Sequence, residues 1–148
     1  MRNLQRNSPY HIYNRGNRKM KICIDYEDYS YMRNLIFSSF PRQSFDLLAY
    51  CIMPNHFHIL VVRVKNPTIS HSMQLLGASY TRYFNKKYKL VGHLFQGTYK
   101  YRTVRTINQL LSTAEYISKN PLNLSKRKYP WVWVNRRSVK AYALLLFK

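Results

Sequence analysis

The chain has 148 residues, with 25 Lys and Arg against 5 Asp and Glu, a formal net charge of +20. That length fits one domain spanning residues 1–148 around a single core, and 46% hydrophobic content excludes a disordered polyelectrolyte. Positive charge on this scale points to a polyanionic partner, while so few carboxylates exclude a two-metal or carboxylate-triad nuclease, which needs several converging on one site.

No apolar run approaches the roughly 20 residues of a membrane span. Residues Met1 to Pro9 carry charge without an apolar segment, so no secretion signal is expected. Cys23 and Cys51 fall in apolar stretches and are expected as reduced core residues of a cytoplasmic protein. The 14 Tyr, 7 Phe and 2 Trp are interleaved with the basic residues, a mixture suited to stacking unpaired bases as well as holding phosphates.

In chain order, Tyr10–Arg15 reads as a strand ended by Gly16-Asn17. Asp25 is placed to cap a helix whose apolar face is Tyr29, Met32, Leu35, Ile36 and Phe40, with Pro41 after its end; Glu27 and Asp28 suit its positive N-terminal dipole. Phe45–Met53 and His56–Val64 read as two strands around the turn signal Pro54-Asn55. Thr68 or Ser70 opens a second helix, on which Ile69, Met73, Leu76, Tyr80, Tyr83 and Phe84 recur at three- and four-residue steps. Arg82, Lys86, Lys87 and Lys89 crowd its exit. Leu94–Val104 reads as a fourth strand with Gln96, Lys100 and Arg102 on one face.

This strand–helix–strand–strand–helix–strand order predicts an α+β, ferredoxin-like split βαβ sandwich, as in the RNA-recognition fold. Its helices pack on one face of an antiparallel sheet and leave the other open. An added helix follows. Thr106 and Gln109 form a capping box, and Ile107, Leu110, Leu111, Ala114 and Ile117 form an apolar stripe. Tyr116 lies nearly opposite that stripe, Asn120 shares its face one turn on, and Pro121 is expected to stop the helix. The core is expected to span about residues 8–121, followed by a basic, aromatic tail over 122–148.

Two features of this pattern point to chemistry. Side chains alternate along a strand, so His56 and His58 point the same way, close enough to hold one metal ion. Tyr116 is not explained by its own helix's core contacts, and Asn120 beside it offers an amide oxygen. A metal-assisted attack by a tyrosine fits these four residues; ligand type alone would allow Zn, Mn or Mg.

Tyr50-Cys51-Ile52-Met53-Pro54-Asn55 followed by His56-Phe57-His58, together with Glu115-Tyr116-Ile117-Ser118-Lys119-Asn120-Pro121, resembles the HUH-motif single-tyrosine transposases, and in particular their REP-associated branch. Tyr83-Phe84-Asn85 and the stretch from Gly92 to Lys100 resemble that branch too. The resemblance runs from about Tyr10 to Pro121. In the tail, Tyr129-Pro130-Trp131 fits, and Val132-Trp133-Val134 departs from the small polar residues expected next.

The resemblance implies Tyr116 as the catalytic nucleophile, His56, His58 and Asn120 as ligands of Mg or Mn, and single-stranded DNA beside a hairpin as substrate. It implies a phosphotyrosine joined to the 5′-phosphate of the cut strand, so that the strand is rejoined without ATP, in a nucleoid-associated protein. Arg15, Arg18, Lys86, Lys87, Gln96, Lys100 and Arg102 are the expected DNA contacts. Monomer and homodimer both remain open, as does whether Tyr116 serves its own histidines or a partner's. The competing reading is an RNA- or single-stranded-DNA-binding module without catalysis, which explains the charge and the aromatics but not two histidines on a mid-sheet strand with Tyr116 and Asn120 turned from their helix's core.

Overall fold

The computed structural model describes residues 4–123 and 129–145. Along the chain run β1 (Pro9–Arg15), α1 (Tyr26–Ser39), β2 (Phe45–Ile52), β3 (His56–Arg63), α2 (Ile69–Tyr88), β4 (Lys100–Thr103), α3 (Ile107–Lys119), β5 (Val132–Val134) and α4 (Arg136–Leu145). The strands form one antiparallel sheet in the order β4-β1-β3-β2-β5. Its first four strands carry the ferredoxin-like order, and β5 extends the sheet beyond β2.

Local chemistry accounts for the helix starts. Asp25 accepts from the Asp28 amide at 3.1 Å, and Asp28 returns a carboxylate oxygen to the Asp25 amide at 3.2 Å, a reciprocal cap for α1. Thr68 caps α2 through the His71 amide at 3.2 Å. Thr106 caps α3 through the Gln109 amide at 3.1 Å. The Gln109 side chain reaches one residue further back than the capping box predicts and accepts from the Arg105 amide at 2.7 Å.

α1 and α2 lie on one face of the sheet over Tyr10, Ile12, Tyr50, Ile52, Phe57 and Ile59, with Met32, Ile36, Leu76 and Tyr80 fully buried between. Asp28 is fully buried there. It accepts from the Tyr88 hydroxyl at 2.6 Å, the Tyr83 hydroxyl at 3.0 Å and the Ile24 amide at 2.8 Å, and pairs with Lys87 at 2.9 Å.

Three expectations are corrected. The fourth strand does not run from Leu94 to Val104 but only over Lys100–Thr103. Gly97 takes a left-handed φ of 72°, which breaks the extended run. Residues 94–96 instead fold against the end of β1, where Gln96 donates its amide to the Arg15 carbonyl at 2.9 Å and Asn17 donates to the Leu94 carbonyl at 2.8 Å. Gly16 is needed at that junction, because a Cβ there would stand 2.0 Å from the Met20 carbonyl oxygen.

The described part of the tail, residues 129–145, is built into the fold rather than appended to it. Trp131 is 6% exposed, stacks on Tyr29 and accepts the Ile52 amide on its carbonyl at 2.9 Å. β5 pairs Trp133 with Tyr50. Losing a buried tryptophan side chain costs a fold about 3–5 kcal/mol, so this segment is part of the core.

The second sheet face is not left open. α3 and α4 cover it along β2 and β3, burying Leu110, Ala114, Ile117, Val139 and Ala143 against Leu48, Cys51, Leu60 and Val62. Leu111, expected in that stripe, is exposed instead. What stays open on this face is the part formed by β1, β4 and the start of β3.

Candidate active site

Strand register decides which side chains meet on that open part. Tyr13 lies between His58 on β3 and Lys100 on β4, Arg15 pairs with His56, and His11 pairs with Arg102. The alternation that sends Tyr10 and Ile12 into the α1–α2 core sends His11, Tyr13 and Arg15 to the opposite face.

His56 and His58 share this face, their ring centroids 5.1 Å apart. The last turns of α3 bring Tyr116 and Asn120 over them. The Tyr116 ring lies 5.4 Å from His58, at 85°, and 6.1 Å from His11. Asn120 is the residue just past α3 and keeps helical backbone angles, φ −51° and ψ −39°, as the chain tightens into a 3₁₀ turn over Asn120–Asn123. Its side chain therefore stays in phase with Tyr116, and its Oδ1 stands 3.2 Å from His56 Nε2. The four expected site residues are thus gathered in one place.

Each histidine is held at its Nδ1. His56 Nδ1 lies 2.7 Å from Asn55 Oδ1 and Nε2 lies 3.2 Å from Asn120 Oδ1; both oxygens only accept, so the neutral ring donates to one of them and leaves the other nitrogen with a lone pair. His58 Nδ1 lies 2.9 Å from Nε2 of His11. His58 Nε2 is buried and has no hydrogen-bond partner.

His11 was not among the residues expected here. The available signal was a histidine between Tyr10 and Ile12, facing away from both, but its partner is 47 residues distant and only the β1–β3 register reveals it. Burial drives the His58 pKa down to about 3, with the charges of His11 and His56 adding to it. Burial and then the Arg102 guanidinium bring His11 down to about 4. Burial also lowers His56, against the raising effect of its contact with Asn120. Burial thus favours the neutral form of all three rings.

The donor set suits a divalent cation. His56 Nε2 and Asn120 Oδ1 stand 3.2 Å apart, and on the neighbouring ring, 5.1 Å away between centroids, His58 Nε2 is buried without a partner. Two donors bound at right angles to one ion at about 2.1 Å stand about 3 Å apart. Among the described residues no group of three or more His, Cys, Asp or Glu is placed to hold a metal, so a three-ligand set here depends on the amide. Glu115, the carboxylate next to Tyr116, pairs with Lys119.

The expected DNA contacts divide. Arg15, Gln96 and Lys100 line a cleft of about 470 Å³ together with Tyr13, Asn55, His56, His58 and Tyr116. Arg15 Nε donates to Gln96 Oε1 at 2.5 Å. Arg102 lines a neighbouring hollow of about 510 Å³ with His11, Gln109, Ser112 and Tyr116. Arg18 lies outside both clefts, and Lys19 takes the place expected of it. Lys86 and Lys87 end α2, across the sheet from His56. Lys87 is bound to Asp25, Glu27 and Asp28 at 2.8–2.9 Å, so its charge is already answered within the fold.

The fold matches solved structures. A REP-associated tyrosine transposase bound to a REP hairpin aligns with a TM-score of 0.70 at 15% identity, over 96% of this chain and 86% of that one. A putative transposase from Deinococcus radiodurans aligns with a TM-score of 0.54 at 17% identity, over 80% of this chain and 95% of that one. No curated protein matches the chain. No helix among the described residues is long and apolar enough to cross a membrane. The model of the IS200-like transposases matches residues 5–120, a span that holds both histidines, the tyrosine and its companion amide. The chain belongs to the IS200-like transposase family.

Proposed function

We propose that this transposase cuts and rejoins single-stranded DNA beside a hairpin, with Tyr116 as nucleophile and His56, His58 and Asn120 as the ligands of one divalent cation, Mg or Mn. The observation that carries the reading is Tyr116 lying over the paired histidines, 53% exposed although its helix is anchored on either side of it. A bound cation would polarise and orient the scissile phosphate. Tyr116 Oη forms a bond to that phosphorus, the P–O3′ bond breaks, and the phenol proton passes through solvent to the leaving 3′-oxygen. The 5′-phosphate stays esterified to Tyr116, and attack by a 3′-hydroxyl reverses the step, so no ATP is needed.

The other side chains position. His11 and Asn55 fix the two imidazoles so that both Nε2 lone pairs point into the site. Arg15, Lys19 and Lys100 hold the backbone phosphates on one side of Tyr116, and Arg102 on the other. The competing module without catalysis requires an open aromatic sheet face. Here α3 and α4 cover much of that face, and the part left open carries three histidines.

The test is covalent capture. The protein is incubated with a labelled single-stranded hairpin DNA and Mn, then run on a denaturing gel. A protein–DNA adduct is expected, absent in Tyr116→Phe. An adduct that survives in Tyr116→Phe would show that another residue is the nucleophile.

A further inference from the structure

A second hollow lies beside the cleft just described. It is a groove of about 830 Å³ between α2 and the 93–99 loop, within the range of roughly 300–1,000 Å³ typical of ligand sites. Its floor is ring-rich, with Phe57, Phe95 and Tyr99, and its rim carries Gln74, Arg82 and His93. Asn14 lines both this groove and the basic cleft, and donates through Nδ2 to the Gly97 carbonyl at 3.2 Å. The two hollows therefore meet at the 95–97 turn, where Gln96 faces the cleft while Phe95 and Gly97 face the groove.

Gly77 gives an independent sign that the groove is kept open. It sits in the middle of the 20-residue α2, where glycine weakens a helix relative to alanine. A Cβ at Gly77 would have no heavy atom within 4 Å. Neither close packing nor an unusual backbone angle asks for glycine there, and the space it leaves belongs to the groove.

Resting on the proposed DNA reading, we infer that this groove receives one or two unpaired nucleobases of the strand whose phosphates lie in the adjoining basic cleft. Aromatic rings and apolar walls suit the faces of a base, while an amide, a guanidinium and an imidazole at the rim suit its edges. Arg15, Lys19 and Lys100 at the junction supply the complement to the connecting phosphates.

The experiment compares two DNA hairpins by fluorescence anisotropy in EDTA. One carries a four-nucleotide single-stranded flank, and the other carries the same flank built from abasic units. Wild-type protein is expected to bind the base-bearing flank at least about ten-fold more tightly, the worth of one good stack. Gly77→Leu puts a branched apolar side chain into the groove and is a strong helix former. It is expected to lose that preference while keeping its affinity for the abasic probe and its melting temperature.

Equal binding of the two probes by wild type overturns the inference, and so does a preference retained by Gly77→Leu. Failure to bind either probe overturns the DNA reading itself. Should Gly77→Leu not fold, photocrosslinking of wild type to a 5-iodouracil flank decides the matter. Crosslinks within 69–82 or 93–99 support the groove, and crosslinks confined to β1, β4 and α3 refute it.

Discussion

Replacing His11 with alanine tests how the site is organised without touching a proposed ligand. In the intact protein the 2.9 Å contact between His11 Nε2 and His58 Nδ1 is buried and is the hydrogen bond made by that nitrogen of His58. With His11 accepting, His58 carries its proton on Nδ1 and its Nε2 is free to bind a cation. With His11 gone, Nδ1 has no acceptor and nothing selects that tautomer or holds the ring. Loss of such an outer partner lowers metal affinity about 10- to 100-fold, equivalent to about 1.4–2.7 kcal/mol, in line with the roughly 1–3 kcal/mol cost of orphaning one buried polar group. Mn affinity is measured by electron paramagnetic resonance titration, and the tautomer by long-range ¹⁵N–¹H spectra of metal-free protein. His11→Gln, whose Oε1 accepts from Nδ1–H, is expected to recover part of the affinity. Mn affinity within two-fold of wild type in His11→Ala, or a wild-type His58 protonated at Nε2, would refute the reasoning.

Tyr116→Phe and His58→Ala are both expected to abolish strand cleavage while leaving hairpin affinity near wild type, but only His58→Ala should lose Mn binding; gel assays and titrations on the same samples check this. DNA affinity is expected to fall steeply with salt, with a logarithmic slope of about −0.7 per neutralised phosphate on single strands; Lys100→Ala should flatten the slope by less than one unit and Lys87→Ala should leave it unchanged. Burial would raise the Asp28 carboxyl, but the donors from Tyr88, Ile24, Lys87 and Asp25 outweigh it and hold it below the ordinary value. The folded state then binds fewer protons than the unfolded one, so this stabilisation is complete above about pH 4 and lost as pH falls through the folded pKa. Asp28→Ala is expected to cost roughly 3–5 kcal/mol at neutral pH and to blunt acid unfolding, both read by urea melts between pH 2.5 and 7. On the proposal that each chain uses its own tyrosine, mixing Tyr116→Phe with His58→Ala protein is expected to restore no cleavage; recovery towards a quarter or more of wild-type activity would show exchange between chains.

The parts of the fold legible in the sequence are those set by local chemistry. The caps at Asp25, Thr68 and Thr106 and the alternation from His56 to Val62 depend on neighbours a few residues away, and the structure keeps them. β5 was not legible because three residues carry no measurable period; Val132-Trp133-Val134 becomes a strand because the edge of β2 offers it partners. The shortened β4 was hidden by Gly97, whose left-handed angle matters only once the chain must turn beside Arg15. His56, His58, Tyr116 and Asn120 could be paired by face, two on one strand and two on one helix. Bringing the strand's pair to the helix's pair is a tertiary event, as is the selection of Lys19 over Arg18 and the loss of Lys87 to an acidic cluster.

The packing of α3 also bears on which histidines Tyr116 serves. Leu110 and Ile117 are fully buried, and Ala114 nearly so, against the same β2–β3 surface whose continuation carries His58. Tyr116 is the immediate neighbour of Ile117, so its position is set by that anchor. Delivering this tyrosine to a partner's site would require the helix to leave Leu60 and Val62. Exposing Leu110 and Ile117 alone would cost about 3–6 kcal/mol at roughly 1.5–3 kcal/mol for each side chain, before the facing strand residues are counted. Asn120 follows directly on the same helix and meets His56 of the same chain at 3.2 Å, so a departing helix would also remove a proposed cation ligand from the site it left. Covering the sheet and carrying the proposed nucleophile are thus coupled in α3, and the coupling favours cleavage within one chain.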